Sequence, residues 1–325
     1  MADRFGTLRG LDACATVRGT FAVLALDHRG NLRRLLRPGG PQSVKTEDLV
    51  AFKRAVLRAL AVGSSGVLLD PELGAAQAIA DGSLPGSVGL IVSIEATGYA
   101  GPGEARTSRV LPGWSVAKAK RMGADAVKLL LYYHPDAPNA AEQERLLISV
   151  AEDCANEDIG LFLEPLSFSL DEAARPLVGE ARRDVVIRSA RRLTALGGDV
   201  LKAEFPYDAT VTDQARWQEG CAELDEAASV PWVLLSAGVD AATFEEQALV
   251  ACRSGASGVL AGRSLWGGAV ALPPAERDAW LANEGSARLR RLVELVDREA
   301  RPWRAVSPLG HPPEPGPEWY LDDAV

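Results

Sequence analysis

The chain has 325 residues, 47% hydrophobic and 24% charged, with a formal net charge of −9 and a pI near 5.1. That length supports a large core, and the acidic balance argues against a nucleic-acid or polyanion binder. No apolar run is long enough to span a bilayer and no signal peptide is visible, so a soluble, cytoplasmic protein is expected.

The segment 4–15 reads as a short helix able to close the bottom of a barrel. From Phe21 onward, short apolar runs alternate with helical patterns. The strands fall at 21–26, 66–69, 89–95, 126–133, 160–166, 200–205, 232–236 and 258–261. None shows clean polar alternation, as expected of parallel strands covered by helices. Helical periodicity marks 46–60, 115–122, 141–156, 183–196, 214–228, 241–254 and a last helix at 282–301. Eight strand–helix repeats predict a single-domain (β/α)8 TIM barrel over about 20–301, and no GxGxxG after the first strand points to a Rossmann sheet. The long Gly/Pro-rich loop 97–113 follows strand three, where such loops act as lids. A Pro-rich tail, 302–325, is expected to pack on the surface or mediate association, and a homo-oligomer is expected.

Four cysteines, Cys14, Cys154, Cys221 and Cys252, lie too far apart for CxxC or metal spacing and read as reduced core thiols. Three histidines, His28, His134 and His311, form no HxH or HxxxH pattern. No metal and no cofactor are expected.

Catalytic groups of such barrels sit at the C-terminal ends of strands. Those ends carry Asp27-His28-Arg29-Gly30, Asp70-Pro71-Glu72, Glu95, Lys128, Glu164-Pro165, Lys202 with Glu204, Ser236-Ala237-Gly238 and Gly262-Arg263. A structural ion-pair network would account for some of them. Alternation places Val200, Lys202 and Glu204 on one face of strand six. A lysine inside an apolar run is costly to charge, and a neutral amine there is a nucleophile able to form a Schiff base with a carbonyl. The plain alternative is a lysine that snorkels to water or pairs with Glu204. Ser236, Gly238, Gly262 and Arg263 follow strands seven and eight, where barrels commonly bind phosphate.

Six motifs together resemble the class I (Schiff-base) aldolases of the tagatose-1,6-bisphosphate aldolase type, including the related sulfofructose-phosphate aldolases. They are Ala25-Leu26-Asp27-His28-Arg29-Gly30, the run 126–133, Leu163-Glu164-Pro165, the run 200–206, Leu235-Ser236-Ala237-Gly238 and Ala261-Gly262-Arg263. The resemblance implies Lys202 as the Schiff-base lysine and Asp27 and Glu164 as acid/base carboxylates. It implies Lys128 as a second lysine that polarises substrate and disfavours a second ammonium beside it. Ser236, Gly238, Gly262 and Arg263 would hold one phosphate. His28 and Arg29 would contact the distal end of the substrate, together with the 97–113 loop; the family commonly carries glutamine where His28 stands. The expected reaction is metal-independent cleavage of a phosphorylated ketose, tagatose 1,6-bisphosphate first, to dihydroxyacetone phosphate and glyceraldehyde 3-phosphate. The alternatives are 6-deoxy-6-sulfofructose 1-phosphate as substrate, or a non-catalytic sugar-phosphate sensor on the same scaffold. The expected partner is a small-molecule sugar phosphate, with no nucleic acid and no membrane.

Overall fold

A computed structural model describes residues 4–171, 173, 175–310, 312, 314, 315 and 319. Eight parallel strands close into a barrel in strict sequence order. They are β1 (Phe21–Ala25), β2 (Gly66–Leu69), β3 (Gly89–Ser93), β4 (Ala126–Tyr132), β5 (Gly160–Leu166), β6 (Val200–Ala203), β7 (Trp232–Leu235) and β8 (Gly258–Ala261). The strands begin where expected, and five of the eight end one or two residues early. The freed residues begin the loops that carry polar groups.

The outer ring comprises α2 (Gly30–Leu36), α3 (Thr46–Leu60), α4 (Ala75–Ala80), α5 (Val116–Met122), α6 (Ala140–Asn156), α7 (Gly179–Thr194), α8 (Gln214–Ala227), α9 (Ala241–Arg253), α10 (Arg263–Trp266), α11 (Pro274–Trp280) and α12 (Ser286–Glu299); α1 (Phe5–Ala13) precedes β1. Local chemistry sets several ends. Ser115 caps α5 and Asp240 caps α9 by accepting from backbone N–H groups, and Gly123 ends α5 in the left-handed conformation. The last helix begins earlier than its periodicity predicts. Pro274 opens α11, a π-helical turn at Leu281–Gly285 joins it to α12, and the polar run Asn283-Glu284-Gly285 hides the continuity.

Period-two alternation sorts the barrel interior into layers. Phe21, Val23, Leu68, Ile91, Ala126, Phe162, Val200, Val233 and Leu260 form an apolar inner core. Leu8 and Leu11 of α1 pack beneath it, as expected of a bottom-closing helix. A Cβ on Gly10 would lie 2.1 Å from the Asp125 carbonyl, so only glycine lets α1 seat this closely. The outer shell, between strands and helices, is the larger apolar cluster. The start of the tail corrects the surface expectation: Trp303 is fully buried against Phe21, ring centroids 6.4 Å apart, and plugs the barrel bottom from the other end of the chain. Within 302–325, residues 311, 313, 316–318 and 320–325 lie outside the described residues. Among the described residues no helix is long and apolar enough to cross a membrane.

Candidate active site

Two residues up from the inner apolar layer, alternation brings the next inward side chains to the C-terminal mouth. Ala25 is followed by Asp27, Ala126 by Lys128, Phe162 by Glu164 and Val200 by Lys202. The four charged groups therefore form one layer above an apolar floor. The Lys128 ammonium lies 2.7 Å from Asp27 Oδ2, 2.6 Å from Glu95 Oε1 and 3.0 Å from Glu164 Oε2. The other oxygen of Glu164 is 2.7 Å from Lys202 Nζ. One carboxylate thus bridges two lysines.

The two lysines differ in position. Lys128 is completely buried and does not line the cavity; its ammonium is enclosed by three carboxylates. Lys202, Asp27 and Glu164 line a cavity of about 240 Å³ with Ser236, Gly262, Arg263, His28 and Arg29. Burial alone would lower the Lys128 pKa, but Asp27, Glu164 and Glu95 outweigh it and raise it well above the usual lysine range. Burial would likewise raise Asp27; the Lys128 and Lys202 cations reverse this and hold its carboxyl far below the ordinary range. Asp27 is therefore a fixed carboxylate.

Glu95 is the member that sequence reasoning noticed as a polar strand end but gave no role. Its Oε1 holds Lys128 and its Oε2 accepts the Leu130 N–H at 3.1 Å. Glu204 departs from its expected face. β6 ends at Ala203, and Glu204 turns outward to Arg182 at 2.9 Å and to the Ser167 N–H at 2.7 Å. It pairs with α7, not with Lys202. Asp70 is also outside the cavity, fully buried and ion-paired with Lys53 of α3.

The loops after β7 and β8 face each other across the cavity. Ser236 Oγ accepts the Gly262 N–H at 3.3 Å. Ala237 and Gly238 both have positive φ, 45° and 84°, which turns the chain sharply. A Cβ at Gly238 would lie 2.2 Å from Arg263 Cζ, so glycine leaves the space the guanidinium occupies. Gly238 itself sits behind Arg263 and lines an adjoining groove. No carboxylate lies within ion-pair distance of Arg263 among the described residues. A cation beside backbone N–H groups in a half-buried mouth suits a phosphate. Arg263→Ala should raise KM for a phosphorylated substrate about 10- to 100-fold, the worth of a charge-assisted contact of about 1.5–3 kcal/mol. Unchanged KM in a folded variant would return Arg263 to an ordinary rim residue.

Arg29 reaches the cavity but its guanidinium is already engaged, by Glu72 at 2.7 Å and the Glu95 carbonyl at 2.8 Å. His28 stands edge-on to Trp266, ring centroids 5.1 Å apart, with Nδ1 3.7 Å from Asp27. Burial, joined by the Arg263, Lys202 and Lys53 cations, pulls its imidazole down to about 4 against the pull of Asp27. The ring is neutral at pH 7. Because the unfolded chain takes up this proton first, stability from His28 is full above about pH 6.5 and falls as the pH drops toward 4. His28→Gln should therefore gain about 2 kcal/mol on the wild type between pH 7 and pH 5, read from urea unfolding. An identical pH response in both proteins would refute the neutral-imidazole assignment.

The family model for DeoC/LacD family aldolase matches residues 21–268, which spans all eight strands and the layer just described. The chain belongs to the DeoC/LacD aldolase family. This aldolase, a carbon–carbon lyase of class I, is 32% identical over 317 residues to tagatose 1,6-diphosphate aldolase 2 of Streptococcus pyogenes serotype M1, covering 89% of this chain and 94% of the relative. It is 31% identical over 317 residues to tagatose 1,6-diphosphate aldolase of Lactococcus lactis subsp. lactis, covering 91% and 96%. Among solved structures, a Schiff-base-forming fructose-1,6-bisphosphate aldolase matches with a TM-score of 0.57 at 21% identity, over 88% of this chain and 98% of that one. Fructose-bisphosphate aldolase from Plasmodium falciparum matches with a TM-score of 0.70 at 12% identity, over 92% and 96%. At those identities the structures speak to the barrel alone.

Proposed function

We propose that this aldolase cleaves a ketose bisphosphate, tagatose 1,6-bisphosphate first, through a Schiff base on Lys202. The observation that supports it best is the bridge of Glu164 between Lys202 and Lys128, with Lys202 the lysine that reaches the cavity. Glu164 takes the ammonium proton of Lys202 across 2.7 Å, and the amine adds to the substrate carbonyl. Glu164 returns that proton to the carbinolamine oxygen, which leaves as water; an iminium, the electron sink, remains, and Glu164 is again a carboxylate. Glu164 next removes the proton of the hydroxyl two carbons away, the carbon–carbon bond breaks, the aldehyde leaves, and its electron pair forms an enamine. The same carboxyl returns the proton to the enamine carbon, and water hydrolyses the resulting iminium to free Lys202.

Asp27 fills a different role in this scheme. Held as a carboxylate, it accepts hydrogen bonds from substrate hydroxyls and does not shuttle protons. Lys128 fixes the positions of Asp27 and Glu164. The phosphate of the carbon-one end lies at Ser236, Gly262 and Arg263. The curated relatives of S. pyogenes and L. lactis, named for tagatose 1,6-diphosphate, favour that sugar.

The test is turnover of tagatose and fructose 1,6-bisphosphates, fructose 1-phosphate and 6-deoxy-6-sulfofructose 1-phosphate, each with and without chelator. Activity should be greatest on tagatose 1,6-bisphosphate and unchanged by chelation. The three carboxylates that could gather around a divalent ion converge instead on the Lys128 ammonium. Activity lost to chelator and restored by a divalent ion would overturn the Schiff-base reading. Preference for the sulfonated sugar would move the assignment to that substrate.

A further inference from the structure

His28 lines the cavity, but the chemistry above gives it no task. The sequence resemblance would set it against the distal end of the substrate. The structure puts it elsewhere. β1 pairs with β8 where the barrel closes, so the loop after β1 meets the loop after β8. A Cβ on Gly262 would lie 3.2 Å from His28 Cε1, and the ring stands edge-on to Trp266, which shares the short helix α10 with Arg263. His28 therefore borders the cluster of Ser236, Gly262 and Arg263. Its Nδ1 is buried without a hydrogen-bond partner, 3.7 Å from Asp27.

The charges that bear on the ring are Asp27 beside it, Arg263 from α10, Lys202 from β6 and Lys53 from α3. Three cations thus oppose one carboxylate. Asp27 is itself shared with Lys128 at 2.7 Å, and Lys53 is matched by Asp70. Arg263 has no carboxylate within ion-pair distance among the described residues. Together with burial, this balance keeps the imidazole neutral down to about 4. A dianion resting on Arg263, Ser236 and Gly262 changes its sign. It matches the guanidinium and leaves surplus negative charge against the ring, which then stands between two anions. Opposite charge close by favours the protonated imidazole. A glutamine, common in the family at this position, has no proton to gain.

We propose that His28 completes the phosphate site as an imidazolium, taking up one proton as the dianion binds. The proton arrives with the phosphate, so the free enzyme holds no further cation beside Lys202 and Arg263. A group that gains a proton on binding makes affinity rise as the pH falls, by up to about tenfold per pH unit for one proton.

The proposal rests on placing a phosphate at Arg263, so the probe is inorganic sulfate. Sulfate has the same tetrahedral shape, needs no turnover, and keeps both negative charges through the neutral and mildly acidic range. Any titration therefore belongs to the protein. Calorimetry should show wild-type affinity for sulfate rising as the pH falls below neutrality, and His28→Gln should bind sulfate with little dependence on pH. NMR of isotope-labelled histidine reads the ring directly. His28 should stay neutral down to about pH 5 in the free enzyme and titrate near about 6.5 or above with sulfate bound. The chain has three histidines, so the resonance missing from His28→Gln is that of His28. Should that variant not fold, the resonance surviving in His134→Gln with His311→Gln identifies it instead. A His28 that stays neutral with sulfate bound, or a pH dependence that persists in His28→Gln, would overturn the proposal and leave the phosphate placement standing. Sulfate that fails to bind wild type, or binds Arg263→Ala equally well, would remove the phosphate placement and this proposal with it.

Discussion

Lys202→Met is expected to fold and to lose cleavage almost completely. Methionine is flexible and apolar, with a side chain of similar length, so it fills the volume above the floor formed by Val200. It offers no amine, and no other group lining the cavity can become an iminium. Wild type treated with dihydroxyacetone phosphate and then borohydride should carry a stable secondary amine, mapped by mass spectrometry to the peptide holding Lys202. An adduct on the Lys128 peptide, or near-normal turnover by the variant, would reverse the roles of the two lysines. The geometry argues against that reversal: Lys128 is enclosed by three carboxylates and lies outside the cavity lining.

Lys128→Met should cost stability and activity together. Removing the ammonium leaves Asp27, Glu95 and Glu164 facing one another with little to compensate them. Breaking a buried ion network from one side costs about 3–5 kcal/mol. The deficit should depend on pH with a definite sign. In wild type, Asp27 is held far below the ordinary range, so its contribution is present above about pH 4 and is lost as the pH falls through the folded pKa. Without Lys128 the crowded carboxylates accept protons more readily, so the gap to wild type should narrow as the pH is lowered from 7 toward 5. Urea unfolding of both proteins across that range measures it. A deficit that is flat with pH would indicate lost packing instead of uncompensated charge.

How much of this could be read before the structure follows from the range of each interaction. The barrel was legible because eight short apolar runs alternate with helical periodicity, and a period of two within strand six placed Val200, Lys202 and Glu204 on one face. Glu204 obeyed that period on paper but not in space, because β6 stops at Ala203 and Arg182 on α7 competes for the carboxylate. Glu95 showed itself as a polar strand end. Its role did not, since Lys128 lies 33 residues away and only the β3–β4 register brings them together. His28 stood out beside Asp27, but its nearness to Gly262 depends on β1 closing against β8, across most of the chain.

Trp303 ties the two ends of the chain to one another. It donates its backbone N–H to Gly19 at 2.8 Å, while Arg304 reaches Asp12 and Phe5 meets Trp319 edge-on at 5.2 Å. During synthesis the first strand emerges early and α1 can cover part of its underside, but the face that Phe21 turns to Trp303 stays open until Trp303 itself is made. The nascent barrel therefore waits, with that face uncovered, for a residue 282 positions downstream. The same proximity means that the segments at Phe5 and Trp319 could be joined by a short linker and the chain reopened at a surface turn. The order in which the strands are made would change, and the closed barrel would not.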